Sequence, residues 1–280
     1  MNQGGIGHWK AVRRLANKIG MRLPPRIGKQ PVDAIAEWAV ETGLGVLDVH
    51  RLTPEIKETS DKHHLEIGTV DAVRMGELLS KDEKVRSDAA VAVQQQIKEI
   101  AELGGGVLFM CLVPPDLSQP RSESFAIWKE TFPEIVETAE RDAVSIAIEG
   151  WPGPAPQYPT IGCTPEMWRA MFEAVPSKRF GLNYDPSHLV RLGIDYLRVL
   201  EEFGDRIVYC HGKDTELLSE ELYEFGTLPA TFKAHYGFSE GSWRYTVPGE
   251  GTVDWKKVAL RLERIGYGGP VSIELEDHRY

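Results

Sequence analysis

No apolar stretch of this sequence comes near the roughly 20 residues needed to cross a bilayer, so a membrane partner is not expected. Its three cysteines, Cys111, Cys163 and Cys210, are an odd and scattered set without a CxxC pair. That argues against a disulfide framework and a thiolate metal site. The first residues, Met-Asn-Gln-Gly-Gly-Ile-Gly-His-Trp-Lys, lack the charged-then-apolar layout of a secretory signal, and a cytoplasmic location is the expectation. Basic residues are in deficit, with 32 Lys and Arg against 42 Asp and Glu, a formal net charge of -10. A nucleic-acid binder ordinarily presents a basic face, so DNA and RNA are not expected partners. There is no GxSxG nucleophile turn, no GxxxxGK[ST] phosphate loop and no GxGxxG opening a helix. The run Gly104–Gly106 precedes a strand-like segment and reads as a helix stop, not as a phosphate cradle.

What the sequence does hold is a rhythm. From about residue 31, helix-period segments alternate with short apolar runs. Helices are expected over residues 31–42, 53–63, 80–103, 124–141, 164–175, 195–203 and 255–265. Ser80 is the expected cap of the longest, with Glu83 completing a capping box. Strands are expected over residues 46–50, 65–73, 107–113, 144–149, 181–185, 207–211 and 270–274. Such βαβα alternation calls for a parallel sheet covered on both faces, and 280 residues suit a single α/β domain, a (β/α)8 TIM barrel. Only seven strands are readable. An eighth would have to lie in the atypical segment 1–30, where residues 8–18 look helical and residues 21–29 are rich in Pro and Arg. The first strand is therefore expected to be irregular or incomplete, and no final helix follows the last strand. Residues 215–245 form a long, aromatic-rich βα loop. It reads either as a lid over the site or as a surface excursion packed by its own aromatics.

Four of the strand-like runs end on a group that binds hard or borderline cations: Glu149, Asp185, His211 and Glu274. A parallel barrel delivers strand ends to one rim. Taken singly, a strand-end carboxylate is about as often a cap or an ion-pair member. Jointly, three carboxylates and one imidazole suit Mn, Mg or Co, with Zn as a further option. His188, in Asp185-Pro-Ser-His188, is placed to contact substrate, or else to cap the next helix. Lys213 can neutralise an oxyanion or serve as a structural ion-pair partner, and Asp214 can orient a ligand. Arg244 offers a fork for substrate oxygens, and Trp151 a face for a sugar ring. His50, Asp71 and Cys111 end earlier strands and can line the same mouth, with no chemistry assigned.

At these residues the chain resembles the xylose isomerase-like TIM-barrel superfamily, and within it the sugar phosphate isomerase/epimerase group. The resemblance is carried by Ile-Ala-Ile-Glu149-Gly, Asn-Tyr-Asp185-Pro-Ser-His188-Leu, His211-Gly-Lys213-Asp214-Thr, Arg244-Tyr-Thr-Val-Pro-Gly-Glu-Gly-Thr-Val-Asp-Trp and Gly-Tyr-Gly-Gly-Pro-Val-Ser-Ile-Glu274. It implies that Glu149, Asp185, His211 and Glu274 coordinate one divalent ion. It further implies that Glu149 and Glu274 act as acid and base on opposite sides of a substrate carbon, through a metal-stabilised cis-enediolate. His188 matches a position that contacts a substrate oxygen. The arginine usual in the family a few residues past the metal-binding histidine is absent, since Thr215-Glu216-Leu217 stand there, leaving Lys213 or Arg244 to replace it. DNA-repair endonucleases of the same superfamily carry an Asp-x-His pair before the Gly-Glu-Gly turn. Here Trp243 and Tyr245 occupy those places, which removes two ligands of a three-metal site. The expected activity is isomerisation or epimerisation of a small sugar, keto-sugar or inositol derivative. The alternatives are a lyase on the same scaffold, acting on a keto-inositol or a 3-keto-glycoside, and a non-catalytic sugar-binding or partner subunit. A small carbohydrate is the expected partner, and a homo-oligomer is compatible with the resemblance.

Overall fold

The computed structural model describes residues 17–24, 26–233 and 236–279. Eight parallel strands close into a barrel: β1 (Ile19–Arg22), β2 (Val46–Val49), β3 (Glu66–Asp71), β4 (Val107–Met110), β5 (Ser145–Glu149), β6 (Phe180–Tyr184), β7 (Ile207–Gly212) and, last in the chain, β11 (Val271–Ile273). Between them run α1 (Val32–Glu41), α2 (Pro54–Lys62), α3 (Glu83–Glu102), α4 (Arg121–Arg141), α5 (Pro165–Ala174), and the pair α6 (Pro186–Arg191) and α7 (Tyr196–Phe203). An insertion after β7 contains β8 (Asp214–Leu217), α8 (Ser219–Phe225), β9 (Ser239–Glu240) and β10 (Trp243–Thr246), and α9 (Trp255–Arg264) then leads into β11. No described helix is long and apolar enough to cross a membrane.

The strands form where short β-branched or aromatic runs can be buried on both sides. In β5 and β6 all positions but Ser145 are buried, as a sheet covered by helices requires. The helices turn one stripe inward: α4 buries Ile127, Trp128, Phe132, Ile135, Val136 and Ala139 at three- and four-residue spacing. Trp128 stacks on Phe132 at 5.2 Å and reaches Phe180 of β6 at 5.5 Å, tying helix to barrel. Removing such a buried ring to Ala costs about 3–5 kcal/mol.

The barrel is complete, which corrects the expectation of an irregular or missing first strand. Ile19–Arg22 pairs with Val46–Asp48 on one side and with Val271–Ile273 on the other. Its Ile-Gly-Met-Arg composition gives little local signal, and its partners lie up to about 250 residues away, so closure and not propensity forms it. Within the segment expected to be helical, Asn17 and Lys18 are not in a helix, and residues 8–16 lie outside the described residues. A second correction concerns α3. Asp82, not Ser80, is the cap, accepting from the Lys84 and Val85 amides at 2.9 and 3.2 Å. The Ser80 hydroxyl instead accepts from the Asp82 amide. No helix follows β11 among the described residues.

The long 215–245 loop is partly regular. Its two limbs, β8 and β10, pair antiparallel, and β9 adds a third strand. All four residues of β10 are buried. Arg191 pins this sheet to the barrel: its guanidinium donates to Glu240 at 2.6 Å and lies 4.1 Å from the Trp243 ring centre. The loop is not packed by its own aromatics throughout, because Tyr223, Phe232, Tyr236 and Phe238 are exposed.

Candidate metal centre

Glu149, Asp185, His211 and Glu274 converge at the C-terminal rim, each offering a ligand atom within 4.8 Å of the others. They end β5, β6, β7 and β11, which are consecutive neighbours in the closed sheet. Asp185 shows how one residue serves two ends. Its Oδ1 caps α6 by accepting from the Ser187 amide at 2.8 Å, and Pro186 opens that helix. Among the described residues its buried Oδ2 has no hydrogen-bond partner. Neither nitrogen of the buried His211 ring has one either. Buried polar atoms without partners cost free energy, and of these Asp185 Oδ2 and His211 Nδ1 belong to the cluster, Nδ1 lying 3.4 Å from Glu274. Three carboxylates, one imidazole and this set of orphaned atoms fit a divalent cation with oxygen and nitrogen ligands.

The two glutamates differ in surroundings. Glu149 Oε1 accepts from His188 Nε2 at 2.8 Å, and its Oε2 accepts from the Asn183 amide nitrogen. Since a carboxylate only accepts, Nε2 carries the His188 proton, and the Tyr245 hydroxyl donates to Nδ1 at 2.6 Å. Burial, and then the Lys213 ammonium nearby, push His188 down to about 3, so its ring is neutral. Glu274 lies among cations: Lys213 Nζ is 2.5 Å from its Oε2 and Arg22 Nε 3.0 Å from its Oε1, with His211 at 3.4 Å. Burial opposes its charge, but Lys213 and His211 outweigh burial and hold it well below the usual carboxylate range. Burial likewise disfavours a charged His211, yet Glu274 and Glu149 push it up to about 10. Lys213 also reaches Glu276 at 3.0 Å and Asp185 at 3.3 Å and lies over the Tyr245 ring. Those carboxylates overcome burial and raise its pKa, so it is an ammonium and not a free amine for Schiff-base chemistry.

A cavity of about 200 Å³ opens on this cluster. Of the residues expected to meet substrate, His188, Lys213 and Trp151 line it. Arg244 does not. Its guanidinium donates to Glu216 at 2.6 Å and to Asp277 at 2.9 and 2.8 Å, beside a separate cavity under the insertion. Asp214 is also drawn elsewhere, accepting from the Gly249 and Val253 amides and the Trp255 indole to hold the Gly-Glu-Gly turn. Among the described residues, none of α8 or β9 lines the metal-facing cavity, and the insertion meets the site at its base, where Tyr245 contacts His188 and Lys213.

Sequence reasoning missed Arg22, Glu276, Asn183 and Asp48. Arg22 lines the cavity from the end of β1, grips Asp71 with two hydrogen bonds of 2.7 and 3.0 Å and lies 4.5 Å from the Phe109 ring centre. It is a strand-end residue like the four candidate ligands, but its strand was not readable. His50 accompanies it from outside, with Nδ1 2.7 Å from Asp71. Cys111 lines the same cavity, and burial pushes its thiol well up.

The family model described as xylose isomerase-like TIM barrel matches residues 24–279. The chain belongs to this family. Within that frame, 118 residues are 36% identical to the inosose dehydratase of Geobacillus thermodenitrificans, covering 41% of this chain and 37% of the dehydratase. The match to that relative thus spans little more than a third of its length. Among solved structures, a D-tagatose 3-epimerase-like protein superposes with a TM-score of 0.66 at 23% identity, over 94% of this chain and 92% of the other. The IolI protein with a bound zinc atom gives 0.65 at 19% identity, over 92% and 88%. Both likenesses establish that this xylose isomerase-like chain shares their fold.

Proposed function

We propose that this barrel is a divalent-metal-dependent isomerase or epimerase of a small, uncharged keto-sugar or inositol derivative. The observation that carries the reading is the pair of glutamates, buried Glu149 and half-buried Glu274, within one candidate metal cluster beside a small cavity. A divalent ion held by Glu149, Asp185, His211 and Glu274 would supply Lewis-acid polarisation of substrate oxygens. The zinc in IolI supports this for a protein of the same fold. Glu274, kept ionised by Lys213, His211 and Arg22, can take a proton from the carbon beside a carbonyl. Glu149, hydrogen-bonded to neutral His188, stands on the other wall to handle the proton of the opposite face or the neighbouring carbon. Lys213 offers positive charge to the enediolate oxygen. Trp151 and His188 contribute an apolar face and a polar contact for the ring.

The charge balance supports an uncharged substrate. The cavity's cations, Arg22 and Lys213, are already matched by Asp71, Glu274, Glu276 and Asp185, and no unpaired cation among its described lining is left for a phosphate. A lyase is the second reading, favoured by the inosose dehydratase relative. On this scaffold it would begin with the same proton abstraction and end by expelling a hydroxyl or an aglycone. The test is solvent-deuterium exchange into a panel of ketohexoses, inososes and 3-keto-glucosides, with Mn, Co, Zn or Mg added to chelator-treated protein. Exchange that depends on metal, with phosphorylated ketoses inert, is the expected result. A chain that takes up none of these ions, or that exchanges equally without them, sinks the reading. Loss of water or aglycone selects the lyase.

A further inference from the structure

We propose that Asp48 is a positioning residue that holds the proton of His211 on Nε2 and so frees Nδ1 to bind a divalent ion. This rests on the reading that the cluster holds such an ion. The His211 ring is fully buried and presents its two nitrogens to different groups. Nδ1 faces the ligand cluster, 3.4 Å from Glu274 and 3.7 Å from Glu149. Nε2 faces Asp48 Oδ2 at 3.4 Å on the side away from it. Neither Asp48 Oδ2 nor Nε2 has a hydrogen-bond partner among the described residues, so each is the other's nearest polar candidate.

Asp48 is itself held in place. It lies in β2 where the register with β3 shifts between Leu47 and Val49, is 1% exposed, and its Oδ1 accepts from the Thr69 amide at 3.0 Å and from the Tyr209 hydroxyl at 2.5 Å. The Tyr209 hydroxyl is in turn 2.8 Å from Ser272 Oγ. Four strands, β2, β3, β7 and β11, thus build one buried support beneath the ligand histidine. Gly68 makes room for it, since a Cβ there would collide with both Asp48 Oδ1 and the Tyr209 hydroxyl. A carboxylate behind a metal-binding imidazole fixes the tautomer and the ring orientation, and losing it typically costs 10- to 100-fold in affinity.

The geometry gives this role an unusual signature. Because two donors occupy Oδ1, an Asn at position 48 must keep its oxygen there and turn its NH2 towards His211. That group donates to Nε2 and drives the ring proton to Nδ1, where the ion has to bind. Asp48→Ala leaves the tautomer free. A merely structural Asp48 predicts the reverse order, since Asn keeps the volume and the bonds to Thr69 and Tyr209.

The experiment is a Co2+ titration of the chelator-treated full chain, followed by the visible d–d bands, with circular dichroism to verify the fold. Asp48→Asn is expected to weaken Co2+ binding by about 100-fold and Asp48→Ala by about 10-fold, each with altered bands. Native-like affinity in Asp48→Asn, or weaker binding by Ala than by Asn, overturns the inference while leaving the metal reading intact. Failure of the native chain to bind Co2+ overturns both. If the Asp48 variants do not fold, Tyr209→Phe decides: it removes one donor holding Asp48, and an unchanged affinity and spectrum there count against the proposal, whereas a several-fold loss supports it.

Discussion

Glu149 and Glu274 are the same residue type, both stand at the C-terminal rim, and both belong to one cluster, yet the walls behind them are opposite in character. Glu149 is fully enclosed and is met by a neutral imidazole and a side-chain amide. Glu274 is partly open and is met by an ammonium, a guanidinium and an imidazole that its own charge helps to protonate. The difference teaches that a barrel sets the position of a rim carboxylate with its strands and sets its character with neighbours from other strands. Lys213 comes from the residues after β7 and Arg22 from β1, while His188 comes from α6 after β6.

The comparison can be broken most sharply by removing each carboxylate's charge. Glu149→Gln and Glu274→Gln are each expected to lower metal-dependent deuterium exchange into a substrate by about 10²- to 10⁴-fold, read by mass spectrometry. Exchange persisting in both variants would falsify the two-glutamate assignment. Next in size is the Glu274 wall itself. Lys213→Met leaves Glu274, Glu276 and Asp185 without their ammonium, and a broken buried ion pair costs about 3–5 kcal/mol of stability in denaturant titrations of the metal-free chain. A loss below about 1 kcal/mol would mean that solvent or rearrangement already screens those carboxylates. Metal itself should level the two walls. Binding to the folded state alone, at 100 times the dissociation constant, adds about 2.7 kcal/mol, visible as a rise in midpoint temperature. No rise with any of Mn, Co, Zn or Mg would contradict a folded-state site. The smallest effect belongs to the neutral wall: His188→Gln should cost about 1 kcal/mol, the scale of a replaced hydrogen bond. A loss as large as that of Lys213→Met would erase the contrast between the walls.

The parts of this arrangement that were readable in the chain share a physical cause. Each of the four candidate ligands follows a short apolar run, and each run is buried for reasons local to it, so the rim could be inferred without the barrel. The short helix that Asp185 caps, Pro186–Arg191, was not expected, although Asp185-Pro186 is a cap followed by Pro in the first turn. What escaped reading was non-local. Strand β1 is held by partners at both ends of the chain, so Arg22 was invisible as a rim residue. Arg244 looked like a substrate fork because nothing adjacent announces Glu216 across the hairpin or Asp277 past the last strand as its partners. Ser80 satisfied a capping pattern, but the chain began its helix two residues later, where Asp82 offered the stronger acceptor.

Periodicity and the chemistry of strand ends were therefore sufficient for the α/β barrel and for placing Glu149, Asp185, His211 and Glu274 together at one rim, because both follow from residues within a few positions of one another. Closure of the ring, the separation of a neutral from a cationic wall, and the placing of Asp48 behind His211 were decided only in three dimensions. Each depends on side chains separated by tens to hundreds of residues that meet when β1 joins β2 to β11.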